Sequence, residues 1–437
     1  MNQTADVIVV GAGVVGCSVA YYLASSGAKV ALVEREAIGS GASAHATGSL
    51  SILGAEFSPG ASFELALAGY RQFIDLVPSL ESETGANLLY QRRASLRLAL
   101  DEDEVVLIKA MMEWQQQSAR IRWIDGDEVR RIEPRLSPDI RGAANEDESA
   151  QLDSYRLNLA LAQGAERHGA EIALREVVGL LTHNNRVDGV KTTGGDMSAD
   201  MVVVATGEWS SVFGDWLGFP VPVRPLKGER LMLRYDGPPL PVLISSPMRG
   251  HMISRLDGLL SVGSTGGRDY DQTAMFATRE SHVRPTEAAK LELLQRAIDV
   301  FPALQDAELV QQLAGSRPLS PDRLPILGPV PGWDGIMLAT GHTTKGIHLG
   351  PITGRIISNW ILQGQPDVDF DMNPLLPDRF ADMTQANFPL SGQRVEECPR
   401  GSRCRAEVKH LAECSATLMS QTTRFVICGF SMTSPDT

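Results

Sequence analysis

The run from Asp6 to Glu36 constrains the fold more than any other part of the chain. Val7 to Val10 is unbroken apolar, and Gly11-Ala12-Gly13-Val14-Val15-Gly16 follows at once. A helical pattern comes next and stops at Ser26-Gly27. A second apolar run, Val30 to Val33, ends on Glu34-Arg35. The order predicts strand, tight turn, helix, strand. Gly11 permits the sharp turn, Gly13 lets backbone approach a pyrophosphate, and Gly16 lets the helix pack close to the sheet. The N–H groups at the start of the helix, at Val14 and Val15, face phosphate with the positive end of the helix dipole. Glu34 can accept both hydroxyls of a ribose and repels a 2′-phosphate. The unit reads as an adenine-dinucleotide site. The motif alone does not separate FAD from NAD, and a glycine-rich turn that binds nothing is the plainer alternative.

At 437 residues the chain is long enough for two domains. Its net charge of −13 argues against nucleic acid or an anionic membrane surface as main partner. No run is long and apolar enough to span a bilayer. The first strand begins too early for a signal peptide to fit, so a cytoplasmic location is the expectation, with a peripheral membrane role as the alternative. Cys17 falls on the first helix, where burial is expected. The other cysteines, Cys398, Cys404, Cys414 and Cys428, crowd the end of the chain without C-x-x-C spacing, and no metal site is read.

Gly39-Ser-Gly41-Ala-Ser43-Ala-His45-Ala-Thr47-Gly48-Ser-Leu50 is dominated by small residues. They suit a backbone lying flush against a flat ligand, where larger side chains collide; a flexible loop is the alternative. Helices are predicted over 62–84, 101–117 and through Leu157 to Ala165, with a short strand and helix over 123–134 whose charges read as a solvated face. Strands are read over 88–100, near Val177-Val178 and over 187–191. Asp200 to Val204 reads as a buried parallel strand ending in Ala205-Thr206-Gly207, with Trp209 just beyond. From Val221 alternating strands suggest an antiparallel sheet: 224–233, His251 to Arg255, and Leu259 to Gly263. A helix follows over 285–301, then an extended, proline-rich passage from Gly315-Ser-Arg317-Pro318 to Gly328. Gly335 to Gly341-His342 is a further buried strand with a glycine-rich exit, and Gly346 to Leu362 is the last helix. From about Phe380 the periodicity is lost, and a disordered appendage or an interaction segment is expected.

With these pieces in hand the chain resembles the glycine oxidase/D-amino acid oxidase superfamily of FAD-dependent amine oxidoreductases, which includes sarcosine oxidase beta subunits and dimethylglycine dehydrogenases. Four motifs carry the resemblance: Val9-Val-Gly11-Ala-Gly13-Val-Val-Gly16; Gly39-Ser-Gly-Ala-Ser43; Gly315-Ser-Arg317-Pro318 with Asp322-Arg-Leu-Pro325-Ile-Leu-Gly328; and Gly341-His342-Thr-Thr344-Lys345-Gly346-Ile347. It covers roughly Ala5 to Gln365. It implies an α/β fold: a Rossmann-like parallel-sheet FAD domain over 1–80, 145–220 and 325–375. An antiparallel-sheet substrate domain is inserted over 81–144 and 221–324, and 376–437 is an atypical tail. It implies FAD rather than NAD.

The resemblance places Gly11, Gly13, Val14, Val15, Gly16, Glu34 and Arg35 on the adenosine and pyrophosphate. Val178, Ala205, Thr206, Gly207 and Trp209 fall at the adenine end. Ser43, His45, Thr47, Gly48 and Leu50 lie along the flavin, and the helix start from Gly341 through His342, Thr344, Lys345 and Gly346 to Ile347 lies at its N1–C2=O edge. Arg317 matches the arginine that holds the substrate carboxylate. His251 stands where glycine oxidase-like members carry a tyrosine near the substrate. Thr344 stands where the family has a second arginine, and the neighbouring Lys345 reads as a surface lysine at a helix start. His45-Ala46-Thr47-Gly48 is similar to the His-Ala-Ala-Gly segment that carries covalent FAD in dimethylglycine and sarcosine dehydrogenases, so covalent attachment through His45 stands beside noncovalent contact. Ser261 replaces a lysine that some oxidases carry above the flavin.

The activity this implies is oxidation of the C–N bond of an amino acid or secondary amine, with hydride passing to flavin N5 and the imine then hydrolysed. Either O2 or a partner electron acceptor reoxidises the flavin. An FAD-bearing subunit of a hetero-oligomeric amino acid or opine dehydrogenase is an alternative, and a non-catalytic flavin-binding scaffold is another.

Overall fold

The computed structural model describes residues 3–53, 57–265 and 284–383. In chain order these form β1 (Gln3–Val10), α1 (Val14–Ser25), β2 (Val30–Glu34), α2 (Ala61–Thr84), β3 (Gln91–Ala99), α3 (Glu102–Gln115), β4 (Ile121–Asp125), α4 (Gly126–Ile132), β5 (Gly142–Gln151) and α5 (Ser154–Arg167). Then come β6 (Glu171–Leu174), β7 (Val177–His183), β8 (Arg186–Thr192), β9 (Gly195–Val204), α6 (Ser211–Leu217), β10 (Arg224–Arg234), β11 (Leu243–Ser246), β12 (Gly250–Ser254) and β13 (Leu260–Gly263). Helix α7 (Glu287–Val300), β14 (Glu308–Leu319), β15 (Ile326–Pro329), β16 (Ile336–Thr340) and α8 (Gly346–Gln363) complete the fold. The tail expected to lack structure lies outside the described residues from 384 on, as do its four cysteines.

Two eight-stranded sheets organise these elements. The first runs β15-β16-β9-β1-β2-β6, with the β7–β8 hairpin joined through β8 to β9. Strands β16, β9, β1, β2 and β6 are mutually parallel. Layers cover both faces, which is why β1, β2 and the end of β9 are continuous apolar runs. Val7 and Val9 pack with α1, α2, α5 and α8; Ile8 and Val10 point the other way, onto β7, β8 and α6. Helices α1 and α8 approach closely because Gly354 has no side chain: a Cβ there would lie 2.5 Å from Ser18 Cβ.

The second sheet runs β14-β10-β13-β12-β11-β3-β5-β4 and is antiparallel except for the β11–β3 pair. One face is apolar. Leu231, Leu233, Met252, Leu260 and Val262 pack there with Leu293 and Ala297 of α7. The acid run at 101–104 starts α3 as its charges suggest, with Asp101 Oδ1 accepting from Glu104 N at 2.9 Å.

The structure corrects several readings of the sequence. The extended passage beginning Gly315-Ser-Arg317 starts within a sheet strand rather than after one. These residues are the end of β14, which pairs with β10 along its length, Arg317 opposite Leu226. Glu133 is not on a solvated face: it is 3% exposed and paired with Arg135. Strands β5, β6 and β11 and helix α6 are additional to the elements read from the sequence. Strand β5 (GAANEDESAQ) puts only alanines into the apolar clusters and buries Asn145, Glu146 and Ser149 beside them, so it shows no apolar alternation.

Candidate functional site

Four turns meet at the carboxyl ends of neighbouring parallel strands, the side where open α/β sheets bind ligands. They follow β1, β2, β9 and β16. In the first, Gly11 has φ +100°, and a Cβ on it would lie 2.6 Å from Ala205 O. A Cβ on Gly16 would lie 1.8 Å from Gly11 O. An added Cβ on Gly13 would meet Ser43 Oγ at 3.4 Å, an ordinary contact, so a side chain there would project into the space before the helix.

Glu34 ties the turn down. One carboxylate oxygen accepts from Ala12 N at 2.8 Å and the other from Glu36 N at 2.9 Å. Ser43 Oγ accepts from Val14 N at 3.0 Å, capping α1 across the loop after β2. The N–H groups of Val15 and Gly16 belong to the first turn, where a helix offers no carbonyl partner. Asn158, fully buried on α5, donates to Ala12 O at 3.0 Å and fixes the turn from behind.

The loop after β2 has a local reason for some of its small residues. Gly48, at φ +79°, would place a Cβ 1.9 Å from Leu152 O, and Leu50 N donates to Ala150 O. Thr47 is half-buried, and the Leu50 side chain is wholly in the core. Gly41 lies against the Trp209 ring, over which the Arg35 guanidinium stacks at 4.1 Å. After β9, Ala205 N donates to Val10 O, Thr206 meets Ser210, and Gly207 O accepts from the Ser210 hydroxyl. Val178 is exposed on β7, three residues beyond Arg175, whose N–H donates to Glu34 O. Thus Arg35, Trp209 and the glycine turns converge, and the chain leading to Val178 is tied to them through Arg175 and Glu34.

After β16, Gly341 turns at φ +74°. His342 is buried with its ring against Thr353 Oγ1 at 2.9 Å, and burial pushes its pKa down to about 3. Thr344 is exposed. Lys345 is not the surface lysine the sequence suggests: it is 7% exposed, with its ammonium over the Phe57 ring at 4.7 Å. Gly346 and Ile347 begin α8.

The polar face of the second sheet joins these turns. Gly315 lies against His45, where an added Cβ would be 3.1 Å from His45 Cβ. Two residues on, Arg317 donates to Ser264 Oγ at 3.0 Å and Thr265 O at 2.9 Å. Its guanidinium lies across Gly228, whose added Cβ would fall 1.7 Å from Arg317 Nη2. Pro318 O then accepts from Thr343 N. Strand β14 therefore carries Arg317 between the loop after β2 and the turn after β16. His251 is opposite Gly263, and its buried Nε2 has no hydrogen-bond partner among the described residues. Burial, with the Arg230 and Arg317 charges nearby, pushes its pKa down to about 3, so the ring is neutral at pH 7. His45 is lowered by burial and by Arg230.

Sequence reading missed Asn158, Arg230 and Glu146. For Arg230 a signal existed: it shares the parity of Gly228 and Met232 on an alternating strand, which puts it on their face. For Glu146 no local signal existed, because its partners are far away in the chain. It is 2% exposed, accepts from Ser51 Oγ at 2.6 Å and Ile52 N at 3.4 Å, and burial raises its pKa to about 8. The folded state therefore holds a proton that the unfolded state releases between about pH 4.5 and 8, so stability from this group falls as pH rises through that window. We expect Glu146→Gln to flatten the fall in Tm between pH 5 and 8, read as the difference between variant and parent. Equal pH slopes would show that Glu146 is ionised in the fold.

Residues 6–360 match the family described as FAD dependent oxidoreductase. Glycine oxidase of Pseudomonas aeruginosa is 32% identical, over 83% of this chain and 96% of that protein. The crystal structure of glycine oxidase from Geobacillus kaustophilus superimposes with a TM-score of 0.77 at 29% identity, covering 86% of this chain and 98% of that one. Iminodiacetate oxidase of Chelativorans sp. BNC1 gives a TM-score of 0.75 at 26% identity, over 85% and 98%. The match is supported by the site itself, whose glycine turns, open helix start and Glu34 fit an adenine dinucleotide. The chain belongs to the FAD dependent oxidoreductase family, and its cofactor is FAD.

Proposed function

We propose that this enzyme oxidises the C–N bond of an amino acid or secondary amine whose carboxylate is held by Arg317. The placement of Arg317 is the observation that supports this most. It is a guanidinium laid flat over a glycine and fixed by Ser264 and Thr265, on the strand that passes both cofactor turns. A planar fork held in this way suits a carboxylate accepting two parallel hydrogen bonds.

The first sheet serves as the FAD domain and the second as the substrate domain. Gly11, Gly13, Val15, Gly16 and Glu34 hold the adenosine and pyrophosphate. Ser43 fixes the helix start they use. Trp209, stacked by Arg35, borders the adenine side. The bound flavin supplies the two-electron acceptor for the amine. The chain supplies position. Arg317 orients the substrate, neutral His251 offers a ring nitrogen without adding charge, and the N-terminus of α8 favours the negative charge that develops on reduction. No side-chain base is required when the amine arrives neutral, and the imine product is hydrolysed by water.

His45 contacts the flavin noncovalently in this reading. Acid precipitation of the holoenzyme is expected to leave its flavin in the supernatant; flavin retained in the pellet would assign His45 as an attachment point. Ser261 is 1% exposed and hydrogen-bonded to Arg230, so the position matched to an oxidase lysine offers no ammonium. This favours electron transfer to an acceptor other than O2, including a partner subunit.

An anaerobic screen tests the proposal. Glycine, sarcosine, D- and L-amino acids, proline and N-carboxyalkyl amino acids are added in turn while flavin absorbance is followed. Bleaching by an amine bearing a carboxylate is expected, with slow recovery when air is admitted. Fast recovery would identify an oxidase. No bleaching by any of them would sink the amine reading and favour a subunit that only carries flavin.

A further inference from the structure

Arg230 has no function in the reading so far, yet it is among the costliest side chains in the fold. It is 8% exposed. Among the described residues it forms no ion pair; its one hydrogen bond is to Ser261 Oγ at a long 3.5 Å, and its buried Nε has no partner. The nearby acids Asp153 and Asp257 are both held by Arg255, at 3.2 and 3.0 Å. A guanidinium stays charged in proteins, and a buried charge without a counter-ion is strongly unfavourable. Such a group belongs to a ligand that brings the missing anion.

The place of Arg230 says which ligand. On the polar face of the second sheet Arg230 and His251 both pair with Gly263, one on each side. A Cβ on Gly263 would lie 2.9 Å from Arg230 Cβ and 3.3 Å from His251 Cε1, so the glycine leaves open floor between them. Gly228 and Gly315 share this face, the first under Arg317 and the second against His45. Three glycines thus pave one surface, with Arg317 at one side and Arg230 at another. The Arg230 charge is felt at both His45 and His251, which places it beside the same space.

We propose that Arg230 receives a second carboxylate of the substrate, so that the amine oxidised is a dicarboxylate, its reacting end held by Arg317. This rests on the reading that Arg317 holds the first carboxylate. It also accounts for Ser261, whose hydroxyl steadies the arginine where an ammonium would repel it.

The test compares amines that differ by one carboxylate. Iminodiacetate is sarcosine with a carboxylate on its methyl group, and N-(2-carboxyethyl)glycine stands in the same relation to N-ethylglycine. The holoenzyme is expected to bleach with at least one dicarboxylate at a kcat/KM about 10-fold or more above its monocarboxylate counterpart, in keeping with one added charge-assisted bond. Arg230→Met should lower the dicarboxylate value about 100-fold and the monocarboxylate value by less than about 10-fold, because only the former leaves an anion unpaired. Arg230→Lys, which keeps the charge in the fold, should fall between. Equal losses on both classes, or no preference in the parent enzyme, would overturn the proposal. Glutarate binding to the holoenzyme, followed by the shift in flavin absorbance, is a second readout independent of turnover. If no amine bleaches the flavin, the amine reading fails, but glutarate binding weakened by Arg230→Met would still establish the anion site. Glutarate binding insensitive to Arg230 would remove it.

Discussion

Gly16→Ala is expected to yield a folded protein that purifies colourless. The absent Cβ of Gly16 is 1.8 Å from Gly11 O, so a single methyl group cannot be accommodated without moving the turn. That carbonyl belongs to the residue whose φ of +100° sets the path out of β1. Shifting it disturbs the Ala12 N–H bond to Glu34 and the Val14 N–H bond to Ser43, both of which shape the helix start. The parallel strands beneath do not depend on the turn, because β1 is paired on both sides, by β2 and β9. Loss of a few aligned N–H donors and of the helix dipole at a phosphate corresponds to about 2–4 kcal/mol, or roughly 30- to 1,000-fold in FAD affinity. The ratio of protein to flavin absorbance after purification, and fluorescence titration with FAD, would measure it. Far-UV circular dichroism separates loss of flavin from loss of fold. A yellow Gly16→Ala protein with unchanged affinity would mean that the turn is not where FAD binds.

How much of this was legible depended on whether the determinants were local. The turn after β1 was, because its constraints fall within the thirty-one residues from Asp6 to Glu36: apolar strands, three glycines and a terminal acid. The family and FAD were legible from four motifs and are borne out by the match over residues 6–360. What failed was non-local. Strand β5 hides in a polar segment because Glu146 is buried against groups from other parts of the chain, such as Ser51. Arg317 was singled out, but not as a strand residue; Pro318 directly after it, with Pro321 and Pro325 beyond, masks β-pairing that only the partner strand β10 reveals. Lys345 read as a surface lysine, yet it is buried over Phe57, an aromatic contributed from elsewhere in the chain. Gly48 has a second requirement that the sequence did not show, the close approach of Leu152 O from far along the chain.

Arg317→Met is expected to keep its flavin and lose turnover of carboxylate-bearing amines by about 100- to 10,000-fold in kcat/KM, the range for two charge-assisted hydrogen bonds at about 1.5–3 kcal/mol each. The flavin should survive because Arg317 lies on β14, whereas the turns after β1 and β9 belong to the first sheet. The loss should not be recovered by Arg317→Lys, since an ammonium is a point donor and cannot replace the planar fork. Gly228→Ala offers a control that leaves the arginine in the sequence. An added Cβ would sit 1.7 Å from Arg317 Nη2, so the guanidinium must leave its place across the strand and with it the bonds to Ser264 and Thr265. If position rather than charge is what Arg317 contributes, Gly228→Ala should lose about 10- to 100-fold while keeping flavin, mostly in kcat/KM, as expected for a misplaced near-attack geometry. Primary amines without a carboxylate, poor substrates for the parent enzyme, should be indifferent to both changes. Turnover of a carboxylate-bearing amine within a few-fold of the parent in Arg317→Met, with flavin intact, would show that the substrate is held elsewhere on the sheet.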